Sequence, residues 1–271
     1  MNDVLRRRSG GAPAARSTLL TVLGEYLLPR PDGVWQEALI GSLNLLGYTP
    51  SAARQAVVRS TREGWLEGER IGRRSKMRLT ESSAELLKDG AQRIYEFGRP
   101  VVWDGRWMLI VLRVPEQRRE LRHRLTTQLA WAGFGSLGGG LWITPHTGRE
   151  DQIQAEEPAQ LLSFKAELGV LGDTAKVIQE AWDLPALRIH YEEFLADFAA
   201  DPDSAQDDGA IFAAQTALVH AWRRFPFIDP DLPDDLLPQD WPRPKAYELF
   251  KARHERWAPA AQSHFDALAG A

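Results

Sequence analysis

The stretch TPSAARQAVVRSTREGWLEGERIGRRSKMRLT, Thr49–Thr80, decides the fold of this part of the chain. Thr49 can accept a hydrogen bond from a first-turn amide, and Pro50 suits the first helical position, so the pair starts a helix. At helical spacing Ala53, Ala56, Val57 and Ser60 share one side and are small enough for close packing. Ser51, Arg54, Gln55, Val58 and Arg62 share the other, with Arg59 at its flank. This outer set holds long donors suited to guanine and adenine edges and to phosphates. Gly64-Trp65-Leu66 leads out of the helix. Leu66–Ile71 and Met77–Leu79 can then pair as a hairpin across Gly72-Arg73-Arg74-Ser75-Lys76, a tip with three cations in five residues. A basic tip beside a reading helix meets backbone or minor groove through charge and counterion release. A helix face of this kind alone is equally well an ordinary solvated face. The helix followed by the basic hairpin has the order of a winged helix-turn-helix.

Working outward, Ser17 is placed to cap a helix through Leu28, with Leu19, Leu23, Tyr26 and Leu27 at helical spacing. The turn cluster Pro29–Gly33 ends it. A second helix is expected from Val34 to Leu46, stopped by Gly47. After the hairpin, Thr80 caps a helix to about Phe97. Trp107–Val114 reads as a buried strand. Glu116–Ala132 reads as an amphipathic helix with Leu121, Leu125, Leu129 and Ala132 inward and Arg118, Arg119, Arg122 and Arg124 outward. Leu141–Thr144 is a second strand beyond the glycine-rich bend Gly133–Gly140. With the apolar run Leu161–Leu171, this predicts a small ferredoxin-like α+β domain. Asp173–Trp182, Pro185–Ala200, Ala210–Phe225 and Lys245–Leu268 carry helical periodicity. The expected organisation is a basic disordered arm over 1–16, a winged-helix domain over 17–98, an α+β domain over 99–172 and a helical domain over 173–271.

Charge divides the chain. Residues 1–97 hold 15 Lys and Arg against 11 Asp and Glu, residues 98–149 hold 8 against 3, and residues 150–271 hold 10 against 23. A basic front suits a polyanion; an acidic back does not lie along DNA. There are no cysteines, which excludes disulfides and thiolate metal sites. The longest strongly apolar run, Trp107–Leu112, is far short of the roughly 20 residues that span a bilayer. Arg6, Arg7 and Arg8 are not followed by an apolar signal segment. A cytoplasmic protein is expected.

Several segments together resemble the PaaX family of transcriptional repressors: REGWLEGE (Arg62–Glu69), RIYEFGRPVVWDGRW (Arg93–Trp107), WMLIVLRVPEQRRELRHRL (Trp107–Leu125), WAGFGSLGGGLWITPH (Trp131–His146), AWDL, YEEFL and WRRFPFIDPDLPDDLLPQDW (Trp222–Trp241). They follow the family's order across roughly residues 17–257. The chain departs from that pattern at Met77-Arg78-Leu79, at Ser82-Ser83 and along 150–170. The resemblance implies a winged helix, a middle domain similar to the Cas2-like ferredoxin fold, and a helical C-terminal domain. It also implies a homodimer on a palindromic double-stranded DNA operator, released by an aryl-CoA thioester, typically phenylacetyl-CoA.

On this reading Arg54 and Gln55 read bases with Ser51 supporting, while Arg59, Arg62, Arg73, Arg74 and Lys76 bind phosphate. An acyl-CoA needs cations for its phosphates and an apolar slot for its acyl group. Trp182, Tyr191, His220, Trp222, Arg223 and Arg224 are the candidates, although aromatics at helical spacing equally serve a core. The arginines of 118–124 could face ligand, DNA or solvent. The six histidines form no metal set. A Cas2-type nuclease would need an aspartate where this chain has Leu112-Arg113-Val114-Pro115-Glu116. The glycines at 133–140 follow a helix and precede a strand, the reverse of a phosphate loop. No catalytic constellation and no cofactor are expected. The alternatives are an enzyme acting on a CoA thioester or nucleic acid with an accessory winged helix, and a non-specific nucleic-acid module.

Overall fold

A computed structural model describes residues 14–99, 102–115, 117–154, 161–200 and 208–270 of the 271. The chain is a mixed α+β protein with two antiparallel sheets, and it divides into two compact units. One contains the chain up to Glu96 with Ala196–Arg224 and Glu248–Ala271; the other contains Phe97–Leu195 and Phe225–Tyr247.

In the first unit, α1 (Ala15–Val22) continues into a π-helical turn over Leu23–Leu27. It starts two residues before Ser17, without a side-chain cap. Gly33, at φ +72°, turns the chain into β1 (Val34–Trp35), where a continuous helix was expected. Val34 is buried opposite Met77, and so short a strand leaves no periodic trace in the sequence. α2 (Gln36–Leu45) follows, then α3 (Pro50–Arg62), β2 (Leu66–Ile71), β3 (Arg74–Leu79) and α4 (Glu81–Glu96). The sheet order is β1-β3-β2. The hairpin is tighter than expected. Its ladder runs to Ile71↔Arg74, leaving Gly72 and Arg73 as a two-residue turn. Gly72, at φ +62°, supplies the positive φ such a turn requires.

One apolar core joins Leu19, Leu23 and Leu27 of α1 and its extension, Leu39 and Leu43 of α2, Ala53, Ala56 and Val57 of α3, and Leu66 and Met77 of the hairpin. Phe212 of α8 (Asp208–Trp222) and Ala261 and Phe265 of α10 (Arg243–Gly270) belong to the same core. The Tyr26 ring lies 4.9 Å from Phe212 and 5.1 Å from Phe265.

The second unit is built on β4 (Trp107–Leu112), α5 (Arg119–Trp131), β5 (Gly135–Ser136), β6 (Leu141–Thr144) and β7 (Leu161–Ala166), ordered β5-β6-β4-β7. This is the strand order of the split β-α-β arrangement. Met108, Ile110 and Leu112 face α5 and pack with Leu121, Leu125 and Leu129. Asp173 caps α6 (Thr174–Ala181), accepting from Ala175 N at 3.0 Å and Lys176 N at 3.3 Å. Gly135 is required by a close approach: a Cβ there would lie 2.6 Å from both Ala181 and Trp182. α7 (Leu184–Asp197) and the short α9 (Phe225–Ile228) supply further core aromatics. Among the described residues, no helix is long and apolar enough to cross a membrane.

Candidate nucleic-acid interface

α3 forms where expected and for the expected reason. Thr49 Oγ1 accepts from Ala52 N at 3.3 Å, and Pro50 occupies the first turn. Ala53, Ala56, Val57 and Ser60 are buried, while Ser51, Arg54, Gln55, Val58, Arg59 and Arg62 are exposed. Leaving 45% of Val58 exposed among these donors puts a methyl-bearing side chain on the same surface. Arg54, Arg59 and Arg62 have no ion pair among the described residues. Their guanidinium groups are therefore available to a partner.

The exit of α3 is held from two sides. Thr80 Oγ1 donates to Gly64 O at 2.7 Å, and Ser83 Oγ donates to Trp65 O at 2.7 Å. Ser83, where the chain departs from the family pattern, thus fastens the start of α4 to the end of α3. On the other side, Arg16 of α1 forms an ion pair with Glu63.

The hairpin separates its cations. Arg73 is exposed at the turn. Arg74 and Lys76 lie in β3 instead of at a loop tip, on the face of the sheet away from buried Met77. The Arg74 guanidinium sits 4.2 Å over the Trp35 ring and 3.6 Å from Glu37. Such a stack fixes the planar group and reduces its freedom to reach elsewhere. Arg78, on the same face, pairs with Glu67 at 2.7 Å. On this outer face Arg74 and Arg78 are thus paired, while Lys76, like Arg73 and the arginines of α3, has no ion pair among the described residues.

The six residues considered for an effector fall in both units. In the first, Trp222 is fully buried, stacked 4.7 Å from Phe250, with Nε1 donating to Ile94 O at 3.2 Å. His220 Nδ1 lies 2.9 Å from Thr21 Oγ1. Arg223 is 9% exposed and donates to Ser17 O and Oγ, both at 2.9 Å; burial lowers its pKa to about 10. Arg224 is half-buried. In the second unit, Trp182 is half-buried against Gly135. Tyr191 is fully buried, stacked 4.2 Å from Phe225, and donates its hydroxyl to Asp229.

Tyr191 leads to a polar cluster that composition and periodicity did not reveal. Arg243, 2% exposed, donates to Leu232 O at 2.6 Å and Asp234 Oδ1 at 2.7 Å. Asp231 and Asp229 lie 3.5 and 3.7 Å away. Arg149 adds Pro230 O at 3.2 Å and Asp231 at 3.1 Å, and His146 Nε2 bonds Asp231 O at 2.6 Å. Burial, then the nearby Arg149 charge, lowers His146 to about 4, so it is neutral. Burial raises both Asp229 and Asp231, against the pull of Arg243. The only sequence signal was the density of Asp and Pro over 226–244.

On α5, Arg119, Arg122 and Arg124 are exposed, as is Arg118 before it; Arg122 donates to Val114 O. Among the described residues no group of three His, Cys, Asp or Glu side chains could hold a metal ion. Glu116, the acidic residue closest to the position where a Cas2-type nuclease needs an aspartate, lies outside the described residues, as do positions 1–13 of the basic arm.

Three family models match in chain order: PaaX-like protein over residues 14–83, the PaaX protein central Cas2-like domain over 100–170, and the PaaX-like protein C-terminal domain over 182–267. The central match runs through 150–170, where the sequence departs most from the expected pattern. The transcriptional repressor PaaX of Escherichia coli K12 is 29% identical, over 96% of this chain and 86% of that protein. Among solved structures, the uncharacterized protein Rv0674 from Mycobacterium tuberculosis shares the fold. Its TM-score is 0.63 at 24% identity, covering 94% of this chain and 98% of that one. With matches in family order along nearly its whole length, the chain belongs to the PaaX family.

Proposed function

We propose that this protein is a cytoplasmic DNA-binding transcriptional regulator, acting as a repressor, with a winged helix-turn-helix as its reading head. The observation that carries this is the exposed face of α3. Arg54, Arg59 and Arg62 on it have no ion pair among the described residues, and the small side chains of the opposite side are buried. Similarity to the E. coli repressor supports the same reading. α3 enters the major groove, with Arg54 and Gln55 on base edges and Ser51 beside them. Arg59, Arg62 and Arg73 bind phosphate, joined by Arg74 and Lys76 of β3. No covalent chemistry is required.

The regulator acts as a homodimer on a palindrome. A partly exposed apolar sheet face supports self-association. Leu109, Val111, Leu141, Leu162 and Phe164 lie opposite the α5 side by register, and Phe164 is 51% exposed. An aryl-CoA thioester such as phenylacetyl-CoA releases it from the operator, a reading supported by the resemblance to the PaaX repressors. An effector that binds better to a dimer with mis-spaced reading heads lowers operator affinity by that difference. Trp182, Tyr191, His220, Trp222, Arg223 and Arg224 remain the candidates for sensing it; the partly exposed Trp182 and Arg224 are the more accessible.

The test is DNA binding to promoter fragments beside the protein's own gene, at fixed salt, with and without phenylacetyl-CoA. The expected outcome is preference for one palindromic fragment, lost on adding the thioester. Preference that ignores the thioester removes this effector and keeps the regulator. Binding equal to that of random DNA on every fragment removes the regulator.

A further inference from the structure

We infer that Arg223, Ser17 and Arg16 form a positioning relay that ties α8 to the end of α3. Arg223 directly follows α8, and its amide still donates to Val219 O at 2.9 Å, so it moves with that helix. Its buried guanidinium donates to both the carbonyl and the hydroxyl of Ser17. The adjacent residue on α1, Arg16, pairs with Glu63. Glu63 is the C-terminal cap of α3, and its amide bonds Arg59 O at 3.0 Å. Three side-chain links therefore connect α8 with the turn that carries Arg59 and Arg62.

The link is stiff for a physical reason. Arg223 has no ion pair among the described residues, so its Ser17 bonds carry much of the compensation for burying a cation. Breaking them is costly, and the N-terminal turn of α1 follows α8. One turn earlier His220 bonds Thr21, and further along Thr216 lies 3.3 Å from Tyr26 OH. These antiparallel rungs hold α8 in one register on α1. Two residues considered as ligand-binding groups, His220 and Arg223, thus act on α1, and through Arg16 on α3. A shift of α8 would be felt first at the phosphate-binding end of α3. The role in DNA binding rests on the function proposed above; the mechanical link does not.

Spatial continuity alone is not coupling, so the test is a double-mutant cycle in the full chain. Amide exchange at Glu63, Gly64 and Trp65, which bond Arg59 O, Thr61 O and Ser60 O, is compared with Leu46 and Gly47 at the end of α2. Arg223→Met is expected to speed exchange at 63–65 about tenfold and leave 46–47 unchanged, with Arg223→Lys intermediate. Glu63→Gln should act similarly, and the double variant should be no faster than the faster single. Uniform acceleration, no change at 63–65, or additive effects would overturn the relay. If Arg223→Met does not fold, Arg223→Lys and Glu63→Gln decide. On the preferred promoter fragment, Arg223→Met should weaken binding about 3- to 10-fold, with little change on random DNA; an equal loss on both overturns the relay's role in reading. A wild-type chain without fragment preference would defeat the functional reading while the exchange data still decide the link.

Discussion

Arg54 and Arg243 are the same side chain in opposite circumstances. Arg54 stands exposed on α3 with no ion pair among the described residues, on a helix whose other side is packed. Arg243 is 2% exposed and encircled by Asp229, Asp231, Asp234 and a backbone carbonyl. The first arrangement leaves binding capacity unspent; the second uses it to hold a segment of irregular backbone. Residue type does not distinguish them. Partner count and burial do, and they predict that the two sites fail in different ways.

The largest effect is expected at the buried site. Arg243→Met leaves Asp229 and Asp234 without their ion-pair partner and Asp231 with Arg149 alone. Breaking a buried ion network by removing one partner costs about 3–5 kcal/mol. Denaturant unfolding should show a loss of this order, with the transition for the second unit affected first. A loss under about 1 kcal/mol would mean that the carboxyls are already neutralised without Arg243, and the contrast with Arg54 would collapse.

Acid should probe the same cluster through His146. Its folded pKa, about 4, lies below the ordinary 6.5, so the unfolded chain binds the extra proton between those values. The stabilisation from a neutral His146 is present above about 6.5 and is lost as pH falls toward 4, up to about 2–3 kcal/mol in total. Asp229 and Asp231 act with the opposite sign. Their folded pKa values are raised, so their contribution is present at low pH and lost as pH rises through those values. Unfolding of wild type and His146→Asn at pH 7, 6 and 5 isolates the histidine: the variant should lose less stability on acidification. Parallel curves would show that His146 does not titrate differently in the fold.

Arg54→Ala sharpens the contrast from the other side. Stability should stay within about 0.5 kcal/mol of wild type, as for an exposed substitution. Affinity for the preferred fragment should fall by about 1–3 kcal/mol, with relaxed specificity at one base position. Equal loss on specific and random DNA would remove the base-reading role. Lys76→Ala should weaken binding to all sequences and flatten the salt dependence by about one unit of slope. Arg74→Ala should change that slope less, because Trp35 and Glu37 already engage the group.

The sequence exposed one of these sites and concealed the other, for physical reasons. α3 is regular: the helical period sorts Ala53, Ala56 and Val57 from Arg54, Gln55 and Arg62, so a face can be read directly. Thr49 and Asp173 announce their helices through local side-chain bonds. The Arg243 cluster has no period. Its aspartates meet because turns fold 229–234 back, Asp231 taking φ +61°, and because Arg149 arrives from about eighty residues away. β1 was hidden because two residues hold no pattern, and its position depends on Gly33, where a Cβ would collide with Met77 O. The extension of β3 to Arg74 was hidden because a loop of five polar residues and a two-residue turn flanked by polar strand ends look alike. Tyr191 and Trp222 show the limit of composition: aromatic and basic neighbours suit a ligand slot, yet both rings lie in packed cores with their polar atoms bonded.

The smallest effect concerns what makes the α3 face legible at all. Thr49→Ala removes the hydroxyl that accepts from Ala52 N, and a lost cap of this kind costs about 1 kcal/mol. The cost falls on the first turn, which carries Ser51 and precedes Arg54 and Gln55. Thr49→Ser keeps the acceptor and should restore the loss. If the face reads bases as a rigid unit, Thr49→Ala should weaken specific binding more than binding to random DNA, because fraying moves Arg54 relative to base edges while phosphates tolerate the shift. If both fall alike, α3 holds DNA by charge alone, and Arg54 differs from Arg243 only in exposure.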